Sequence, residues 1–99
     1  MNLQVHSIHF DADQKLINFV NEKIGKLNVF HDQIINGEVY LRLDHSDSKA
    51  NKIAEIKLAV PGKDLFAKKQ CKSFEEATDT AVEALRRQIR KHKTKLGRD

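Results

Sequence analysis

Between residues 36 and 60 the chain alternates twice with a period of two, and no other feature constrains the fold as tightly. In NGEVYLRLD (36–44), Val39, Leu41 and Leu43 point one way and Glu38, Tyr40 and Arg42 the other. In KIAEIKLAV (52–60), Ala54, Ile56, Leu58 and Val60 alternate with Glu55, Lys57 and Ala59. Successive side chains of a strand leave opposite faces, so both segments read as strands of a sheet with one buried and one wet face. Such a sheet offers helices one face only. HSDSKAN (45–51) between them is turn chemistry, and PGKD (61–64) is a tight-turn signal leading by a hairpin into a further strand, LFAKKQC (65–71).

Two segments switch to the helical period. DADQKLINFVNEKIGKLNVF (11–30) lines up Leu16, Phe19, Val20, Ile24 and Leu27 on one stripe, with Asp11 or Asp13 as N-cap. FEEATDTAVEALRRQIRKHKTKL (74–96) lines up Ala77, Ala81, Leu85 and Ile89, with Phe74 and Val82 beside them. Ser73 and Glu76 in front of it form an S-x-x-E capping box. A first strand, LQVHSIHF (3–10), alternates Leu3 and Val5 with polar residues. The order is therefore β-α-β-β-β-α, an α+β fold with a four-stranded sheet and both helices packed on one face. With 99 residues, 39% of them hydrophobic, one modest core and a single domain over 1–99 are expected. The lone Cys71 excludes an internal disulfide and reads as a small strand residue. The polar opening MNLQVH and apolar runs of only a few residues predict a cytoplasmic protein with no membrane partner.

The formal net charge of +4 conceals a segregation. Residues 1–85 carry 11 Lys/Arg against 13 Asp/Glu, a net of −2, whereas 86–98 carry Arg86, Arg87, Arg90, Lys91, Lys93, Lys95 and Arg98 with no acid. One or two cations suffice to complement a helix dipole. Seven confined to one helix end make a directed field that favours a polyanion. Residues three and four apart share a helix face, so Arg86, Arg87, Arg90 and Lys93 can follow consecutive phosphates, with Lys91 and Lys95 on the flank. Some 23 helical residues span roughly 35 Å against roughly 23 Å for a seven-residue strand, so the basic end is expected to project beyond the sheet.

Other polar residues have plainer readings. Lys23 falls between Leu16, Leu27 and Phe19 on the apolar stripe of the first helix, where it either snorkels to water or presents a charge for a ligand. His92 lies on the apolar side of the second helix, as a packing or capping residue. His6, His9, His31 and His45 have no metal-site spacing, and with a single cysteine no metal or cofactor is expected. Asp11 with Asp13, and Asp44 with Asp47, sit where capping and turns account for them. Tyr40 on the wet face suits either a strand or a stacking contact with a base. The chain carries no nucleophile-and-base set and no phosphate loop, so a binding protein, not an enzyme, is expected, with no small-molecule substrate.

LRRQIRKHKTKL (85–96), KLINFVNEKIGKL (15–27) and the hairpin closed by PGKD resemble the ribosome hibernation-promoting factors, also called ribosome-associated inhibitors or sigma-54 modulation proteins. The most specific pieces are Leu85, Arg87, Gln88, Lys91, His92, Lys93, Lys95 and Leu96 in the second helix, and Phe19, Val20 and Lys23 in the first. The resemblance covers nearly the whole chain. It implies a fold similar to a double-stranded-RNA-binding domain and a partner in the 30S subunit, within 70S or 100S ribosomes. Contact would be through 16S rRNA in the mRNA channel over the A and P sites, silencing translation in stationary phase or stress. It also implies RNA contacts at Lys23 and Lys26 beside those of the basic block. The end at Asp99 matches the short type, without the second, dimerising domain. Two positions depart from the family pattern: KKQCKS (68–73) makes the approach to the second helix basic, and Lys69 replaces an inward alanine. A generic double-stranded-RNA binder, a module docking an acidic protein and, more distantly, a small hydrolase are the rival readings.

Overall fold

The computed structural model describes residues 1–31, 33–45 and 49–96, with 93–96 described as helical backbone. The elements follow in the expected order: β1 Asn2–Ser7, α1 Gln14–Phe30, β2 Asn36–Leu43, β3 Lys52–Val60, β4 Lys63–Cys71 and α2 Phe74–Leu96. The strands form one mixed sheet in the order β1-β2-β3-β4. β1 lies parallel to β2, and the two remaining pairings are antiparallel.

Local chemistry sets the boundaries. Asp13 is the N-cap of α1, its carboxylate accepting the Leu16 backbone N–H at 2.8 Å. Ahead of α2 the Ser73 hydroxyl accepts the Glu76 N–H at 3.0 Å, while the Glu76 carboxylate takes the N–H of Lys72 at 3.3 Å. The reciprocal cap thus reaches one residue further back than the S-x-x-E pattern predicts. β1 ends at Ser7 and not at Phe10, although the Ile8 N–H still reaches the Leu41 carbonyl at 2.9 Å. His9 then adopts φ 64°, a left-handed conformation that no strand continues through. Pro61 and Gly62 close the β3–β4 hairpin, with Gly62 at φ 82° as a Pro-Gly turn requires. Asp47 of the sequence-predicted turn lies outside the described residues.

Both helices cover the same face of the sheet. Leu16, Val20, Ile24 and Leu27 of α1 and Phe74, Ala77, Ala81, Val82, Leu85 and Ile89 of α2 bury against Val39, Leu41, Ala54, Ile56, Leu58, Val60, Leu65 and Ala67. Leu43, expected inward, is exposed, being the last residue of β2. Lys69 stands opposite the buried Ala54 on the helix-covered face and is half-buried. On the other face Ile53 is only 4% exposed, in register between Arg42 and Gln70. No described helix is long and apolar enough to cross a membrane.

The helices run parallel. α1 connects two parallel strands and must return against both, and α2 returns against β4, which points the same way as β2. Contacts between the helices agree: Lys23 faces Asp79, and seven residues further along each helix Phe30 faces Arg86. Both C-termini therefore reach the same end of the sheet.

Two glycines test the packing in opposite directions. A Cβ on Gly37 would meet Leu58 Cδ2 at 2.8 Å and Leu3 Cδ1 at 3.1 Å, whereas one on Gly25, inside α1, would meet nothing within 4 Å. Gly37→Val is expected to destabilise by about 1–3 kcal/mol through overpacking. Gly25→Ala is expected to stabilise by about 0.5–1 kcal/mol through helix propensity. Urea unfolding midpoints of the two variants check both signs.

Candidate nucleic-acid interface

The cationic end of α2 begins where its burial stops. Ile89 is the last buried residue among the described side chains of the helix, and Gln88 beside it ties α2 to the sheet by donating its amide to the Phe66 carbonyl at 2.8 Å. Arg90 and Lys91 are exposed, and the helix continues to Leu96. Residues 90–96 cover roughly 10 Å at 1.5 Å per residue. That last stretch carries the rest of the basic block within the helix. Lys93 and Lys95 lie on it, but their side chains are outside the described residues, as is the whole of Arg98.

Arg86 and Arg87 stand before that stretch and differ from each other. Arg87 is exposed. Arg86, expected on the outer face with it, turns toward α1 instead: its guanidinium lies 5.6 Å from the centroid of the Phe30 ring, with Nη1 3.8 Å from Glu83. Lys26 is exposed and lies 3.5 Å from Glu22 one turn earlier in α1.

Lys23 meets both demands of its place on the apolar stripe of α1. Its side chain is 32% exposed, and its Nζ reaches Asp79 Oδ1 on α2 at 3.2 Å while lying 5.5 Å from the centroid of the Phe19 ring. The stem thus covers apolar surface and the head bridges the two helices. A phosphate at Lys23 would share that ammonium with the Asp79 carboxylate. No signal in the sequence couples two residues of opposite charge so far apart on different helices.

The open face of the sheet offers paired charge. Arg42 bonds Glu55, and Lys57 lies 3.6 Å from Asp64. His6 stacks on Tyr40 with ring centroids 4.9 Å apart, and the Tyr40 hydroxyl donates to Glu38 at 2.8 Å. That bond, with the nearby carboxylate charge, holds the phenol above its ordinary range. One face of the Tyr40 ring is therefore occupied by an imidazole. Among the described residues no group of three or more His, Cys, Asp or Glu is placed to share a metal ion. The arrangement is chemically suited to holding anions at the α2 end, and the open sheet face is charge-compensated.

Comparison with known proteins matches this architecture. Residues 3–97 match the family described as sigma 54 modulation protein / S30EA ribosomal protein. The chain is 31% identical over 100 residues to the ribosome hibernation promotion factor of Bacillus subtilis, covering 99% of this chain and 51% of that protein. It is 27% identical over 95 residues to the ribosome hibernation promoting factor of Pseudomonas putida, covering 96% of this chain and 89% of that protein. The chain thus spans about half the length of the Bacillus relative. Among solved structures, a ribosomal subunit interface protein from Coxiella burnetii superposes with TM-score 0.84 at 20% identity, covering 95% of this chain and 99% of that one. The N-terminal domain of Thermus thermophilus Protein Y gives 0.79 at 22% identity, covering 93% and 99%. These two likenesses establish the fold.

The bridge between the helices sets an expectation for stability. A double-mutant cycle of Lys23→Met and Asp79→Asn should give a coupling of about 0.2–1 kcal/mol, as for other solvent-accessible ion pairs. Lys23→Met alone should fold at least as well as the parent protein, since an apolar chain suits the stripe. Thermal unfolding of the four proteins checks both.

Proposed function

Since the chain belongs to the sigma 54 modulation protein / S30EA ribosomal protein family, we propose that it is a ribosome hibernation factor of the cytoplasm. It binds the 30S subunit through 16S rRNA, in the mRNA channel over the A and P sites, and shuts translation down in stationary phase or stress. The names of the relatives support the role, and the observation that carries the RNA contact is the acid-free cationic end of α2, where Arg87, Arg90 and Lys91 are exposed. Arg87, Arg90, Lys91, Lys93 and Lys95 hold backbone phosphates, with Arg86, Lys26 and Lys23 at the edge of the contact nearest α1. The protein acts by occupying the channel, with no turnover of a substrate. The single domain over 1–99 is the ribosome-binding unit.

The same charge on the same fold fits a generic double-stranded-RNA binder, which would hold any duplex as tightly as the ribosome. Sucrose-gradient sedimentation with purified ribosomes separates the two. The protein should travel with 30S and 70S particles at low salt, and a several-fold excess of unrelated duplex RNA should not strip it off. Protein left at the top of the gradient contradicts the proposal.

Phosphate binding also has a salt signature. Replacing Arg87, Arg90 and Lys91 by Ala should weaken ribosome binding and flatten the log–log salt dependence by about 0.7–0.9 for each phosphate no longer neutralised. Stability should change by less than about 0.5 kcal/mol per exposed residue. Binding titrations at several salt concentrations, with a melting curve for each protein, test this. A triple variant that unfolds instead would make the helix end a structural element.

A further inference from the structure

Three of the six exposed large hydrophobic side chains among the described residues lie in one short stretch: Val29 at 86%, Phe30 at 42% and Ile35 at 58% exposure. Val29 and Phe30 are the last residues of α1, and Ile35 stands immediately before β2, where its N–H bonds the Ala59 carbonyl at 2.8 Å. α1 ends and β2 begins at the end of the sheet toward which α2 runs. Arg86 joins the two features, since its guanidinium lies over the Phe30 ring. A folded chain gains nothing by leaving such a cluster in water, and an exposed apolar cluster marks a contact.

The occupant follows from the neighbours. A cationic helix end beside an aromatic ring layered with a guanidinium suits a partner that carries anionic groups and flat apolar faces within a few ångströms of each other. Nucleotides with unpaired bases have that combination. Duplex RNA presents the phosphates but keeps its base faces inside the stack. Resting on the RNA reading above, we propose that Phe30 and Arg86, flanked by Val29 and Ile35, form a stacking platform for an unpaired nucleobase of the RNA whose phosphates α2 holds. The platform makes the site prefer a single strand, a loop or a bulge to a continuous duplex, a preference that backbone phosphate contacts alone do not supply.

Stacking and phosphate contact separate in a salt series, because only the second releases counterions. The test measures binding of a short single-stranded RNA, and of the same sequence in a duplex, by fluorescence anisotropy at several salt concentrations. The parent, Phe30→Ala, Phe30→Trp and the Arg87/Arg90/Lys91 triple alanine variant are compared. Phe30→Ala should lose roughly 5- to 150-fold in single-strand affinity, the range that about 1–3 kcal/mol per stacked base implies. Its salt slope should stay that of the parent, and its duplex affinity should change far less. Phe30→Trp should restore single-strand binding, and the triple variant should flatten the slope for both RNAs. Equal losses for single strand and duplex, or none, overturn the platform while the RNA reading stands. A parent protein that binds neither RNA overturns both readings. If Phe30→Ala reduces binding to phosphatidylglycerol vesicles and leaves RNA binding intact, the patch is a lipid contact and the platform is overturned.

Discussion

The structure depends on one constraint: the sheet has only one face that can be buried. Its other face carries Glu38, Tyr40, Arg42, Glu55 and Lys57, which satisfy one another or water, so both helices share the remaining side. The parallel β1–β2 pair then makes α1 return against the strands, and the β3–β4 hairpin makes α2 do the same. Two parallel helices deliver both C-termini, with their partial negative charge, to one end of the molecule. Cations placed there complement two dipoles at once. The block in α2 exceeds that need.

On the proposed reading, that arrangement separates the part of the chain that folds from the part that binds. Among the described side chains, burial along α2 runs through Phe74, Ala77, Ala81, Leu85 and Ile89, and Arg90 and Lys91 after them are exposed. The acids Glu75 and Glu76 of its first turn suit the opposite pole of the same dipole. Substitutions at the exposed Arg90 and Lys91 change the surface field while the core is untouched. Substitutions on α1 are less separable, because Lys23 is held by Asp79 and Phe30 by Arg86, so each acts on the helix pair as well as on anything that binds there.

Much of this was legible in the sequence because periodicity reports burial directly. The two alternating strands, the stripe of α2, the Asp13 cap and the Pro-Gly hairpin all appear where local pattern places them. The features that were not legible are long-range or conformational. Ile53 is buried on the wet face because Arg42 and Gln70 flank it in register, which alternation alone cannot show. Phe19 is half-buried although it belongs to the stripe, since Lys23 and the helix edge lie next to it. Arg86 turns toward Phe30 although the helical wheel groups it with Arg87, and His9 stops β1 early through a backbone angle that composition does not encode. Val29, Phe30 and Ile35 sit in a stretch whose hydrophobic content resembles that of a core segment, and only the fold shows that all three are exposed.

On the proposed reading, the protein meets ribosomal RNA with the cationic end of α2, at the pole of the fold to which both helices point. A cryo-electron microscopy reconstruction of the protein on the 30S subunit puts this to the test without an intermediate step. Density for the domain is expected in the mRNA channel, with α2 beyond Ile89 against the 16S rRNA backbone and the open sheet face making few phosphate contacts. Density that docks the open sheet face on the RNA and leaves the end of α2 in solvent would contradict it.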